Sequence, residues 1–218
     1  MTSALIGQIT LSISFVFYLA LLAPQLIHNW KYRSTQTLSL GMHYLMCSAY
    51  ILDLLYSFGR HMQWQYKVVT IVGILSLAIQ HWQIYQYSEL NPQQRRHYRI
   101  LTGLLCASIG VIIGILITES SWSPKIFVWA GGGAQIASLI YVIPQIIKNY
   151  TLRSTRGVSL YFVFMMIFLG GCDTVSAWAL GWDWPSQYGA PLGIALKLIL
   201  LYQFFVFSKV SRSVIKLR

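Results

Sequence analysis

Residues 18–40 read YLALLAPQLIHNWKYRSTQTLSL, and residues 138–160 read SLIYVIPQIIKNYTLRSTRGVSL. Both stretches contain Pro-Gln, an asparagine four residues after the glutamine, and then Arg-Ser-Thr and Ser-Leu at identical spacing. The offset of 120 residues continues further along the chain, where Asp53 has its equivalent in Asp173. In an apolar chain, an internal repeat of this length indicates two similar halves that enclose a site between them.

The composition is that of a membrane protein. Of the 218 residues, 56% are hydrophobic and only 10% are charged, whereas soluble domains carry about 25% charged residues. Apolar stretches of about 20 residues, which is enough to cross a bilayer, recur along the whole chain. We therefore predict an all-α integral membrane fold with seven spans, at 5–28, 38–58, 68–87, 100–118, 126–148, 158–180 and 188–208.

The basic residues are distributed asymmetrically between the two sides of these spans. The formal net charge is +11, and twelve lysine and arginine residues fall on the side of the C-terminus against three on the side of the N-terminus. This positive-inside bias predicts an outside or lumenal N-terminus and a cytosolic C-terminus. It also explains the positive charge without nucleic acid, which we exclude as a partner. The bias does not distinguish a bacterial inner membrane from a lysosomal or vacuolar one.

The repeat covers spans 1–3 and again spans 5–7, whereas span 4 has no counterpart. A shift of four helices is even, so the two three-helix units lie parallel, and span 4 links them. The predicted units are 1–88, a loop and linker helix at 89–120, and 121–218. Gly110 and Gly114 in span 4 form a small-xxx-small pair, which is typical of close packing against a neighbouring helix.

The doubled motif resembles that of the PQ-loop family, which includes cystinosin, the lysosomal exporters of cationic amino acids and, more distantly, the SWEET sugar carriers. The motif is specific because it occurs twice at fixed spacing, and the resemblance covers nearly the whole chain. It implies a seven-helix carrier fold and the transport of a small molecule, often coupled to protons. It does not define the substrate.

The two Pro-Gln motifs are candidate hinges. Pro24 and Pro144 each lie near the cytosolic end of a long helix, where proline removes an intrahelical hydrogen bond and bends the helix. Gln25 and Gln145 follow directly and offer amide groups to neighbouring backbone. One such bend could be a static kink, but two at equivalent positions favour a hinge that opens and closes the inner end of the helix.

Two acids and one base lie within the predicted spans. Asp53 and Asp173 are functional candidates because a carboxylate in a membrane helix is costly, and burial favours its neutral form, which suits reversible proton binding. Lys197 lies at nearly the depth of Asp173, so an ion pair between them is geometrically feasible, whereas Asp53 has Leu77 at the position equivalent to Lys197. We therefore expect Asp173 to be largely structural and Asp53 to titrate.

Four further amides complete the candidate cavity residues: Gln83, Gln203, Asn29 and Asn149. They could line the cavity or only bond between helices, and the sequence supports both interpretations equally. No Ser-His-Asp set, metal-ligand cluster or phosphate loop is recognisable, so we predict neither an enzyme, nor a metal site, nor a cofactor.

The most probable function from these patterns is carrier-mediated transport of a small polar solute. An amino acid is the first choice, either a cationic amino acid or cystine, moved by alternating access and coupled to protons. A SWEET-like sugar uniporter and a non-transporting sorting receptor like the KDEL receptors are the alternatives. The expected partners are the solute, protons and the lipid bilayer, and a homodimer stays open as the assembly.

Overall fold

The computed structural model describes residues 3–35, 38–118, 121–155 and 158–215, with side chains described up to Phe207. Within these ranges the chain is helical and contains no strand. The helices are α1 (Ser3–Ala20), α2 (Ala23–Tyr32), α3 (Leu40–Gly59), α4 (Trp64–Tyr87), α5 (Pro92–Ile117), α6 (Pro124–Ile140), α7 (Ile143–Leu152), α8 (Leu160–Ala179) and α9 (Trp184–Ile215). Several basic residues that support the predicted orientation, such as Arg156 and Lys216, lie outside the described residues.

Each Pro-Gln motif follows a short break between two consecutive helices. Pro24 lies in the first turn of α2 and Pro144 in the first turn of α7, each four residues after the last residue of the preceding helix. The first-turn N–H groups of a helix have no intrahelical partner, so proline is tolerated there. The chain thus forms two broken spans, α1 with α2 and α6 with α7.

Six helical stretches of the described residues are long and apolar enough to cross a membrane, and each broken pair counts as one of them. Helix α3 is the seventh span: its 20 residues match its repeat equivalent α8 in length, and it is less apolar because it carries His43 and Asp53. The predicted seven-span, all-α fold in two three-helix repeats is therefore confirmed. The first and fifth spans run on past the predicted ends at 28 and 148, to Tyr32 and Leu152.

The repeats pack across each other as well as within themselves. Helix α1 packs against α8 and α3 against α6, so each repeat presents its first and second spans to the other repeat. The largest core cluster spans both repeats and includes Leu22, Met42, Val142, Phe162 and Leu200. We call the side with the α3–α4 and α8–α9 loops the N-terminal face, and the opposite side, with α2 and α7, the Pro-Gln face.

The linker helix α5 is attached to the first repeat by polar contacts. The hydroxyl of Tyr98 donates to the carbonyl of His81 on α4 at 2.5 Å, and the two rings stack with centroids 4.3 Å apart. Nε2 of His81 lies 2.7 Å from the hydroxyl of Thr102. The predicted close packing of Gly110 and Gly114 is wrong, because a Cβ at either position would meet no atom within 4 Å. The tyrosine, the threonine and the apolar side chains of α5 that pack against α3 and α6, rather than the glycines, therefore attach this helix.

Candidate functional site

A cavity lies between the two repeats in the half of the molecule towards the N-terminal face. Helices α1, α3, α4, α6, α8 and α9 all contribute to its wall. Its titratable lining residues are Tyr18, Tyr50, Asp53, Tyr66, Tyr141, Asp173 and Lys197. The structure thus brings Asp53, Asp173 and Lys197, which the sequence singled out, to one cavity.

Each cavity acid accepts a hydrogen bond from a tyrosine. The hydroxyl of Tyr66 on α4 donates to Oδ1 of Asp53 at 2.8 Å, and the hydroxyl of Tyr18 on α1 donates to Oδ2 of Asp173. Sequence reasoning missed both tyrosines, because the repeat places Ser186 at the equivalent of Tyr66 and Ser138 at that of Tyr18. The two acids occupy equivalent positions in the two repeats. Their tyrosine partners do not, because Tyr66 lies on α4 and Tyr18 on α1.

Lys197 and Asp173 share the cavity without a direct ion pair. Within the described part of the chain, the ion pair closer than 4 Å joins Arg60 and Asp183 instead. The contact that the sequence allowed between Lys197 and Asp173 is therefore not formed.

The glutamines of the Pro-Gln motifs bond to the opposite repeat. The side-chain oxygen of Gln145 accepts from the backbone N–H of Ser39 at 2.8 Å, and that of Gln25 accepts from the backbone N–H of Ser159 at 3.1 Å. Both glutamines are almost fully buried. Ser39 and Ser159 are the N-cap residues of α3 and α8, so each motif satisfies the start of a helix in the other half.

In the first repeat, the remaining motif amides form a chain between α2 and α4. Nε2 of Gln25 donates to Oδ1 of Asn29 at 2.9 Å, and Nδ2 of Asn29 donates to Oε1 of Gln83 at 2.9 Å. Nε2 of Gln83 in turn donates to the carbonyl of Leu26 at 3.0 Å. A buried amide in an apolar interior needs such partners.

The second repeat reproduces this chain between α7 and α9. Gln145 donates to Asn149 at 2.7 Å, Asn149 donates to Gln203 at 3.0 Å, and Gln203 donates to the carbonyl of Ile146 at 2.9 Å. None of the four amides is among the residues that line the cavity. Of the two interpretations that the sequence left open, the structure shows the bonds between helices for Asn29, Asn149, Gln83 and Gln203.

At the N-terminal face, a charged contact joins the repeats. Arg60 at the end of α3 contacts both oxygens of Asp183 in the α8–α9 loop, at 3.0 and 3.3 Å, and the hydroxyl of Tyr56 lies 3.4 Å from the same carboxylate. The carboxylate of Asp183, which accepts its hydrogen bonds, raises the pKa of Arg60 further above its ordinary value.

The described side chains contain no group of three histidine, cysteine or acidic residues that could hold a metal ion. The chemistry available in the cavity is therefore that of two carboxylates, one ammonium and several phenolic hydroxyls. Such groups bind a charged or polar solute and can accept a proton.

Helical spans in two parallel repeats around a central polar cavity define a membrane transporter. The chain belongs to the PQ-loop repeat family: the family model described as PQ loop repeat matches residues 6–66 and 126–186, which is over half of the chain. The matched segments are offset by the same distance as the motifs. No individually curated protein matches the chain in sequence.

Among solved structures, the fold is similar to that of a eukaryotic SWEET transporter. The TM-score is 0.67, and the match covers 95% of this chain and 99% of that chain at 14% sequence identity. At this identity the similarity shows the fold alone. It supports the seven-helix, two-repeat architecture and leaves the substrate to be argued from the cavity.

Proposed function

We propose that this protein is a proton-coupled carrier of a small polar solute, with an amino acid as the first choice of substrate. The observation that carries the proposal is the convergence of Asp53, Asp173 and Lys197 on one cavity between the repeats. Ionisable groups are expensive inside a membrane and mark substrate or ion pathways there. Cationic amino acids and cystine both carry charges that these groups can bind.

The charged side chains of the cavity also favour an amino acid over a sugar as the substrate. A sugar is neutral, so it can form hydrogen bonds with these charged groups but cannot balance their charge. Two carboxylates and one lysine in the same cavity complement a solute that carries both signs of charge. The PQ-loop family and its SWEET-like fold are compatible with either substrate.

The charge distribution of the sequence supports the orientation. With the N-terminus outside, the cavity acids lie nearer the outer side and the Pro-Gln face meets the cytosol. We keep the units proposed from the sequence: one repeat at 1–88, a loop and linker helix at 89–120, and a second repeat at 121–218.

Transport would proceed by rocking one repeat against the other around the cavity. Pro24 and Pro144 interrupt the spans beside the crossed hydrogen bonds of Gln25 and Gln145, so opening towards the cytosol requires those bonds to break. The ion pair between Arg60 and Asp183 joins the repeats at the other face. These contacts lie at opposite ends of the cavity, as gates of an alternating-access carrier must.

The proposed proton site is Asp53, hydrogen bonded to Tyr66. Asp173 shares its part of the cavity with Lys197, and the nearby ammonium favours its ionised form. Asp53 has no matching cation, because Leu77 occupies the position in the first repeat that is equivalent to Lys197. A proton on Asp53 would therefore neutralise the cavity acid that no basic side chain balances.

The test is uptake by liposomes that contain the purified protein. We expect labelled L-lysine, L-arginine and L-cystine to enter, L-cystine faster when the side that holds the N-terminus is acidified, and glucose not to enter. Uptake of glucose alone would support the sugar uniporter and overturn the proposal. Saturable binding without any flux would instead support the sorting-receptor alternative.

A further inference from the structure

Lys197 on α9 is a cation in the cavity whose ammonium has no direct protein partner. The described residues give its Nζ no hydrogen bond and no ion pair within 4 Å, although it lines the same cavity as Asp173. A Cβ added at Gly193, one turn earlier on α9, would lie 3.5 Å from this Nζ. The missing side chain of Gly193 thus leaves space beside the ammonium.

The first repeat has a different arrangement at the equivalent positions. Leu77 replaces Lys197 and is 2% exposed within the apolar core. Gly73 replaces Gly193, and the ring of Tyr50 packs directly against it, so a side chain at Gly73 would clash with that ring. The ring of Tyr50 fills the space beside Gly73 in the first repeat, whereas the ammonium of Lys197 lies beside Gly193 in the second.

The asymmetry has a consequence for recognition because both acids are retained. Asp53 and Asp173 occur in both halves, so they alone would produce a cavity that is negative throughout. Lys197 is the one basic side chain among the described residues that line the cavity, and it lies in the second half. A solute that carries a carboxylate has a partner there that the two acids cannot provide.

We propose that Lys197 binds the substrate carboxylate, so that the transported solutes are amino acids with a free carboxylate, and neither amines nor sugars. This inference rests on the proposed function and narrows it. The carboxylate would lie between the ammonium of Lys197 and the backbone at Gly193. A charge-assisted hydrogen bond in a desolvated cavity is strong. A buried charged group that loses its hydrogen-bond partner costs additional free energy.

The test compares each amino acid with its decarboxylated analogue. Thermal stabilisation of the purified protein is titrated with L-lysine and cadaverine, with L-cystine and cystamine, and with glucose, because a ligand of the native state raises its stability. The variants are Lys197→Leu, which copies the residue of the first repeat, and Lys197→Arg, which keeps the charge. Lys125→Leu removes an exposed lysine as the matched control.

We expect wild type, Lys197→Arg and Lys125→Leu to bind the amino acids and to discriminate against the amines. Lys197→Leu should bind the amino acids about 10-fold to 100-fold more weakly, as the loss of a charge-assisted hydrogen bond predicts, and should lose the discrimination. Amino-acid affinity of Lys197→Leu equal to that of wild type, or equal binding of the amine and the amino acid by wild type, would overturn the inference alone. A wild type that binds glucose, or that binds none of the amino acids, would overturn the proposed function as well.

Discussion

The side-chain oxygen of Gln25 accepts a hydrogen bond from the backbone N–H of Ser159, in the opposite repeat, at 3.1 Å. In a capping box, the glutamine that bonds to the N-cap N–H comes three residues later in the same helix. Here the hydroxyl of Ser159 accepts from Phe162 within α8, whereas the glutamine comes from α2. The capping box is thus divided between the repeats, which accounts for the paired occurrence of the Pro-Gln and Ser-Leu motifs.

The first prediction concerns this divided cap. Gln25→Ala should lower the thermal midpoint, because it leaves the buried N–H of Ser159 unpaired at a cost of about 1–3 kcal/mol. Asn29→Ala keeps the crossed bond but takes the amide partner away from Gln25 and Gln83, so Gln25→Ala added to it should lower the midpoint further. Gln8→Ala, at an exposed position, is the control. A double variant with the same midpoint as Asn29→Ala would show that the crossed bond adds nothing.

The second prediction concerns the hinges. Pro24→Leu and Pro144→Leu should leave membrane insertion and the helical fold intact while slowing uptake, because the breaks at 21–22 and 141–142 would close into continuous helix. Proline costs about 3 kcal/mol in a helix interior but is tolerated in a first turn, where both prolines lie, so the thermal midpoint should stay the same or rise if the break closes. Uptake and midpoint are measured on the same preparation. If the double variant takes up substrate at the wild-type rate, the prolines are static kinks and not hinges.

The third prediction concerns the response to pH. If protonated Asp53 is the form that moves with the substrate, uptake by wild type should rise as the outer side is acidified. Asp53→Asn imitates the protonated carboxyl, so it should abolish this rise while substrate exchange across the membrane continues. Tyr66→Phe should keep the rise and shift its midpoint, since the carboxylate of Asp53 loses its hydrogen bond. A pH response in Asp53→Asn that equals that of wild type would contradict the assignment.

Asp173 provides the comparison for Asp53. Asp173→Asn removes the acid that shares the cavity with Lys197, so it should lower the thermal midpoint, and Lys197→Leu in the same chain should restore part of the loss. An Asp173→Asn protein that is stable but has lost its pH response would instead move the proton site to α8.

The fourth prediction concerns the number of protons per substrate. With both acids ionised and Lys197 charged, the three side chains sum to one negative charge. A substrate without net charge, such as L-cystine, should therefore move with one proton, whereas L-lysine brings the balancing charge itself and should move with none. The ratio is measured from the membrane potential that stops net flux at a known pH gradient. Equal proton numbers for the two substrates would contradict this charge balance.

The fifth prediction concerns topology. A reporter at the C-terminus should be accessible only from the cytosolic side, because twelve basic residues against three predict that orientation. A reporter in the 60–63 loop should be accessible from the other side. Labelling of intact and permeabilised cells or vesicles distinguishes the two sides, and a C-terminus exposed outside would contradict both the orientation and the proposed position of the gates.

The sequence was sufficient to predict the spans and the charged cavity residues. A fixed offset of 120 residues and long apolar stretches define seven helices whatever the details of packing. Asp53, Asp173 and Lys197 were recognisable because ionisable groups rarely occur inside spans without a function. Their shared cavity follows from the parallel arrangement of the repeats.

The polar contacts could not be predicted in the same way. An amide such as Gln83 can line water or bond to a neighbouring helix, and only the packing of α2 against α4 decides between them. The partner of Gln25 was hidden for another reason: Ser39 is closer in sequence than Ser159, yet α2 reaches the start of α8. Tyr66 was missed because a tyrosine near a span end is ordinarily an interface residue.

The divided caps also bear on biogenesis. Chains are made from the N-terminus and their domains generally fold in that order, so the first repeat enters the membrane before the second has been synthesised. At that stage the N–H of Ser39 lacks the side chain of Gln145, and the N–H of Ser159 does not yet exist as a partner for Gln25. The ends of the first two spans at the Pro-Gln face can therefore adopt their final arrangement only after the ribosome has passed α7 and α8, which makes closure of this face a late, post-insertion event.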